Sequence, residues 1–210
     1  HQGTPYDRIA EHSVKAYTHV AYFDNPDYLD SAADDDSSFV NDNFGYELAL
    51  SGNYLAVSSV ANVDAETAPD YNTGVVYVFD TTVAINNRGF TGTTDPSLLY
   101  KLSNQGEAST NNHFGFQIDI DQGKLIVADT DPSFNGVGRV CLYDIYDGSL
   151  IKEMKSSEEY NTYSSGFGYS LSASNGWVAI GEPNSDQFGT NEGRVYLVKI
   201  DNKDYGNTVG

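Results

Sequence analysis

Three stretches of this 210-residue chain lie over one another without a gap: FGYELALSGNYLAVSSV from Phe44, FGFQIDIDQGKLIVADT from Phe114 and FGYSLSASNGWVAIGEP from Phe167. A repeat constrains the fold strongly, because a small unit cannot bury its apolar surface alone and must find that surface on a neighbour. After Phe-Gly, each copy places apolar residues two apart: Tyr46, Leu48 and Leu50; Phe116, Ile118 and Ile120; Tyr169, Leu171 and Ala173. Period two predicts a strand with one buried face. Ser51-Gly52-Asn53, Asp121-Gln122-Gly123 and Ser174-Asn175-Gly176 then supply residues that accept the positive φ of a short hairpin turn. An apolar run follows (Leu55–Val57, Leu125–Val127, Val178–Ile180) and ends on a small residue, Ser58, Ala128 or Gly181. Each unit therefore opens with an antiparallel hairpin whose second strand is covered on both faces.

A second shared element comes after a polar loop: GVVYVFD at 74–80, GRVCLYD at 138–144 and GRVYLVK at 193–199, each opening on a glycine (Gly74, Gly138, Gly193). A fourth strand is expected at SLLYKLS, 97–103, and SLIKEMK, 149–155. Four locally connected strands make one antiparallel sheet per unit. The units run 44–113, 114–166 and 167–210, the last without its fourth strand, and all belong to one domain. Residues 1–43 read as the end of a partial unit, with THVAYFD (18–24) as its third strand and DYLDSAA (27–33) as its fourth. The longer first unit absorbs an insertion at 81–95, and no stretch shows a sustained helical period.

Phe-Gly, the hairpin, a small-residue ending such as GEP at 181–183 and the Gly-x-Val strand together resemble the FG-GAP repeat of integrin α-chain heads and of bacterial and phage surface proteins. The resemblance covers residues from about Thr18 to Asp201, with the GAP half degraded to SSV (58–60) and ADT (128–130) in two copies. It implies an all-β fold of β-propeller blades, four antiparallel strands each, arranged radially. Phe44, Phe114 and Phe167 would then wedge between adjacent sheets. Gly45, Gly115 and Gly168 would let backbone approach where a Cβ collides. Propellers close with roughly four to eight blades, and three units plus half of another fall short. The chain is a segment of a longer propeller, several chains complete a ring, or the exposed edges pair with another protein; the first and third are favoured, because neither end carries a capping sequence.

Thirty acidic residues against eleven basic ones give a formal charge of −19. That field repels nucleic acid and anionic lipid and favours cations or basic partners. No run approaches the roughly 20 apolar residues of a membrane span, so no membrane insertion is expected. Cys141 is the sole cysteine and admits no internal disulfide or CxxC site. It lies in the Gly-x-Val strand, where a small buried hydrophobe is expected rather than a nucleophile. His1, His12, His19 and His113 lack metal-ligand spacing. The nucleophile elbow and the phosphate-binding glycine loop are both absent from the sequence.

Many FG-GAP repeats carry an Asp-rich calcium loop between the first two strands. Here Asp119 and Asp121 remain, but the loop is too short to wrap an ion, and the calcium site is not carried over. The loops between second and third strands hold more oxygens: Asp64, Glu66 and Asp70; Asp129 and Asp131; Glu182, Asp186 and Glu192. Among these, Asp129, Asp131, Glu182 and Asp186 are the candidates for Ca²⁺ or another divalent cation, beside the plainer reading of solvated acidic loops. Tyr6, Tyr28, Tyr71, Tyr160, Tyr163 and Tyr205 lie in expected loops, where tyrosine can stack on sugars or anchor a protein interface.

The expectation for function is a non-catalytic, extracellular recognition or adhesion module, on a cell surface or a virus particle, that binds protein or glycan through rim loops. The alternative is a structural subunit of a filament, coat or tail, in which open edges at Thr18–Asp24 and Arg194–Ile200 pair with neighbouring chains by strand addition. A third is an accessory domain of a secreted hydrolase.

Overall fold

The computed structural model describes residues 21–26, 43–60, 74–86, 95–103, 113–130, 138–156, 165–186 and 192–200. The first sheet comprises β1 (Phe44–Ser51), β2 (Tyr54–Ser59), β3 (Val75–Asp80) and β4 (Leu98–Ser103). The second comprises β5 (His113–Asp121), β6 (Lys124–Thr130), β7 (Arg139–Asp144) and β8 (Leu150–Lys155). The third comprises β9 (Ser170–Ser174), β10 (Trp177–Glu182) and β11 (Arg194–Lys199). Every neighbouring pair is antiparallel and consecutive in sequence. The fold is all-β, built of repeat-like antiparallel sheets, and each sheet is open rather than closed on itself.

The hairpin turns fall where Gly and Asn predict them. Gln122 and Gly123 have φ of +48° and +72°, and Asn175 and Gly176 have +53° and +80°. Two successive positive φ values match the right-handed twist of the flanking strands. Phe-Gly starts the first strand as a bulge, because the register between β1 and β2 slips between Phe44 and Leu48, and that between β5 and β6 between Phe114 and Gln117.

Alternation gives each sheet two apolar faces. Val57, Val75, Tyr77 and Phe79 share one face of the first sheet, with Phe44 and Phe23 packed on it. Ala56, Val76 and Val78 share the other, and the second sheet brings Phe114, Ile118, Ile120 and Leu125 against it. The second sheet repeats this arrangement. Ile126, Ala128, Val140 and Leu142 look away from the first sheet and meet Phe167, Val178 and Ile180 of the third unit. Phe114 and Phe167 are fully buried between sheets, as wedges. The closest approaches between sheets run along the first strands, β1 to β5 and β5 to β9.

Two expectations need revision. The insertion at 81–95 opens with a short helix, α1 (Thr81–Asn86), which periodicity cannot reveal in so few residues. Its start is set by Asp80, whose Oδ1 accepts hydrogen bonds from the Thr82 N–H at 2.8 Å and the Thr82 hydroxyl at 2.6 Å. The expected strand over 18–24 is not formed in its described part, since residues 21–25 join no sheet. Instead Phe23 lays its ring against Phe79, centroids 5.0 Å apart, so the aromatic position is used for packing on the face of the first sheet rather than for pairing at an edge. The expected fourth strand at 27–33 lies outside the described residues.

Candidate functional site

Glycine shows how one unit grips the next. A Cβ on Gly115 would lie 2.8 Å from the Ser58 Cβ and 2.9 Å from the Val76 Cγ2, both on the preceding sheet. On Gly168 it would meet the Val140 Cγ2 at 3.1 Å and the Ala128 Cβ at 3.3 Å. The small residues that close the first two apolar runs, Ser58 and Ala128, are therefore the seats for the next Phe-Gly. Gly74 and Gly138 have the matching role, because a Cβ on either would collide with the backbone carbonyl of Phe114 or Phe167 respectively. Two carboxylates reinforce the second joint: Asp119 accepts the Ala173 N–H and Asp121 the Gly176 N–H, both at 2.6 Å. The acids that resemble remnants of a calcium loop act here as staples between sheets.

The second-to-third-strand register carries a paired charge. Asp129 stands opposite Arg139 and Glu182 opposite Arg194. The fully buried Asp129 carboxylate accepts from Arg139 Nε at 2.8 Å, and Arg139 also reaches Glu153 at 2.8 Å. Burial pushes the Asp129 carboxyl above the ordinary carboxylate range, while Arg139 pulls against that shift. Glu182, equally buried, accepts a hydrogen bond from the Tyr196 hydroxyl at 2.8 Å, and Arg194 donates to that same hydroxyl at 3.1 Å. The sequence offers these acids as cation ligands, because the arginine and tyrosine that face them become neighbours only through strand register. The available signal was an acid ending the second strand in the two units whose third strand begins Gly-Arg.

Of the candidate ligands, Asp129 and Glu182 lie in different sheets, and Asp186 is exposed. Asp131, Asp64, Glu66 and Asp70 lie outside the described residues. Among the described residues no group of three His, Cys, Asp or Glu side chains could hold a metal ion. Cys141 is buried, and burial pushes its thiol up to about 11. The six loop tyrosines singled out above all lie outside the described residues.

One cleft of about 510 Å³ opens on the third sheet, at the root of its second-to-third-strand loop. Tyr169, Gly181 and Val195 give it apolar walls, and Glu182, Glu192 and Arg194 give it charge. Of the three acids of this loop, Glu182 and Glu192 line the cleft. Tyr169 also ends an aromatic row across all three sheets, with ring centroids 5.9 Å apart from Tyr46 to Phe116 and 5.4 Å from Phe116 to Tyr169. Phe116 is buried in mid-row, whereas both terminal tyrosines are exposed. The single tryptophan, Trp177, lies on the same open face, with Lys199 5.8 Å from its ring centroid. No protein-family model matches the chain, and no curated protein matches it.

Proposed function

We propose that this chain is a non-catalytic recognition module of the FG-GAP propeller type, displayed extracellularly on a cell or virus surface, that holds a protein or glycan partner at its rim. The observation that carries the reading is the cleft on the third sheet, where an aromatic wall, apolar floor and a few charged groups converge. Such a combination suits stacking plus directional hydrogen bonding. The disposition of reactive groups supports holding over catalysis: Asp129 is tied to Arg139, Glu182 to Tyr196, and the Cys141 thiol is held far from the thiolate form. With a formal charge of −19, basic protein surfaces are the favoured macromolecular partners.

Trp177 is a built-in reporter for the test. Its emission is followed while the chain is titrated with a panel of oligosaccharides and of basic peptides. A binder from either class should lose about tenfold or more in affinity in Tyr169→Ala or Glu192→Gln. Binding that ignores both substitutions would refute the cleft as the site, and turnover of any probe would refute the non-catalytic reading. The architectural alternative has one specific observation in its favour, the uncovered apolar face of the third sheet, with Val195 and Leu197 on it.

A further inference from the structure

The joints between sheets have a direction. The plug is the Phe-Gly that opens one unit, and the seat is the far face of the unit before it. Laying the repeats over one another carries the seats of the first two sheets (Gly74, Ser58 and Val76; Gly138, Ala128 and Val140) onto Gly193, Gly181 and Val195 of the third. All three line the cleft. In the two internal joints the carbonyl and glycine of the next unit's Phe-Gly fill this position; on the third sheet the atoms nearest to it come from the same unit, the Pro183 carbonyl 3.0 Å from a Cβ built on Gly193 and the Ser170 hydroxyl beside one built on Gly181. Val76 and Val78 are 0% exposed, and Val140 and Leu142 0% and 6%, but their counterparts Val195 and Leu197 are 73% and 65% exposed.

The first unit has the reverse property, a plug without a seat. Gly45 holds φ at +90°, like Gly115 at +86° and Gly168 at +87°, yet nothing lies within 4 Å of the position its Cβ would take. Leu48 and Leu50 on β1 are 59% and 68% exposed, where Ile118 and Ile120 on β5 are 5% and 8%. Phe23 covers the β3 half of this face at Phe79, so the open half is β1. The first strand is also the element that makes the closest approach in both internal joints.

We infer that the occupant of the cleft is a second copy of this chain, docked head to tail. Its Phe44–Gly45 and the Leu48–Leu50 stretch of β1 enter the seat and cover Val195 and Leu197. The aromatic row then runs on, with Tyr169 of one copy beside Tyr46 of the next, as Phe116 joins Tyr46 and Tyr169 within one chain. Plug and seat are different surfaces, so the contact is heterologous and either closes a ring or propagates a filament. Two copies bring six sheets, within the roughly four to eight of a closed propeller. The contact stacks faces, unlike the edge pairing expected from the sequence. It rests on reading the cleft as a partner site and names that partner.

The test is sedimentation of the purified 210-residue chain across a wide concentration range, with Trp177 emission followed in parallel. The expected result is concentration-dependent association with a blue shift as Trp177 is covered. Two chains of −19 charge repel, so added salt should strengthen the contact. Leu197→Lys removes the seat and Leu48→Lys the plug. Both side chains are exposed in one chain, so circular dichroism should stay unchanged while the association constant falls about tenfold or more. Mixing the two variants restores one intact joint and should give a heterodimer that stops at two chains. A wild-type chain that stays monomeric at every concentration and salt overturns the inference, as does a mixture in which no heterodimer forms. If self-association fails while Trp177 still responds to an oligosaccharide or basic peptide in a Tyr169-dependent way, the partner is foreign and the recognition reading survives without this inference.

Discussion

Gly45, Gly115 and Gly168 form a matched series in which one variable changes. Their φ values span only +86° to +90°, so a methyl group at each incurs a similar backbone penalty, of order 1–3 kcal/mol. The surroundings differ. The new Cβ meets nothing at Gly45, two side chains at 3.1 and 3.3 Å at Gly168, and two at 2.8 and 2.9 Å at Gly115. Carbon atoms sit best at about 3.5–4.0 Å, so Gly115→Ala drives its methyl well inside contact with Ser58 and Val76. Both neighbours are fully buried between sheets and have no room to retreat. Overpacking of this kind costs about 1–3 kcal/mol. The expected order of destabilisation is therefore Gly115→Ala, then Gly168→Ala, then Gly45→Ala, with about 1–3 kcal/mol separating the first from the last. Urea unfolding followed by far-ultraviolet circular dichroism measures it, in the Leu197→Lys background so that association does not contribute. Equal losses at all three positions would mean that the glycines serve only the left-handed backbone, and the close approach of sheets would then explain nothing about the repeat.

Other consequences follow from the buried groups. Phe114→Ala and Phe167→Ala each remove a fully buried wedge and should cost about 3–5 kcal/mol in urea unfolding, while Phe44→Ala, at a half-buried site, should cost clearly less. Arg139→Met strands the Asp129 carboxylate in the interior, for a loss of about 3–5 kcal/mol at neutral pH. That deficit should narrow as pH falls, because the variant raises the folded carboxyl further and a protonated Asp129 no longer needs a cation; thermal melts from pH 7 to 4 check it. Cys141 titrates from 9.0 in the unfolded chain to about 11 in the fold, so its contribution is complete below pH 9 and lost as pH rises toward 11. Between pH 8 and 11 the unfolding free energy from urea titration should fall less in Cys141→Ala than in the native chain, by roughly 2–3 kcal/mol. Asp119→Asn should weaken protection of the Ala173 amide in hydrogen exchange, and a native-like rate there would contradict the inter-sheet staple.

Local chemistry is legible in this sequence and distant pairing is not. Period-two alternation after Phe-Gly and the Asn-Gly at 175–176 place β9, β10 and their turn without help from any other part of the chain. The same holds for β8, which follows its third strand directly, and for β4, which follows its own once the insertion at 81–95 is set aside. The roles of Asp119, Asp129 and Glu182 depend instead on what faces them across a strand or a sheet. An acid at the end of a strand is the same letter whether it meets water, calcium or an arginine. The seat residues are an intermediate case. Ser58, Ala128 and Gly181 are visibly small in the alignment, but only the position of Gly115 and Gly168 above the first two explains why. The helix at Thr81–Asn86 was illegible for a simpler reason, since six residues span less than two turns and cannot display a period.

What the two ends of the array retain has a physical implication. An end unit that meets only water is stabilised by polar residues on its outer face, and terminal repeats of stacked folds ordinarily make that exchange. Here the outer face of the third sheet keeps Val195, Leu197 and Trp177, and the leading strand of the first keeps Leu48 and Leu50, all substantially exposed. Polar residues are accepted nearby, since Ser170, Ser172 and Ser174 occupy the same outer face of β9. Those serines replace Gln117, Asp119 and Asp121 of the second unit, so the face has lost charge where a carboxylate staple stood while keeping its apolar positions. A surface shaped only for solubility, on a chain this acidic, would show the opposite substitutions, with charge gained and valine or leucine lost. Retention of a plug at one end and a neutral, apolar seat at the other is what a sheet face destined for contact requires, because a carboxylate left unpaired in that joint would carry a desolvation penalty.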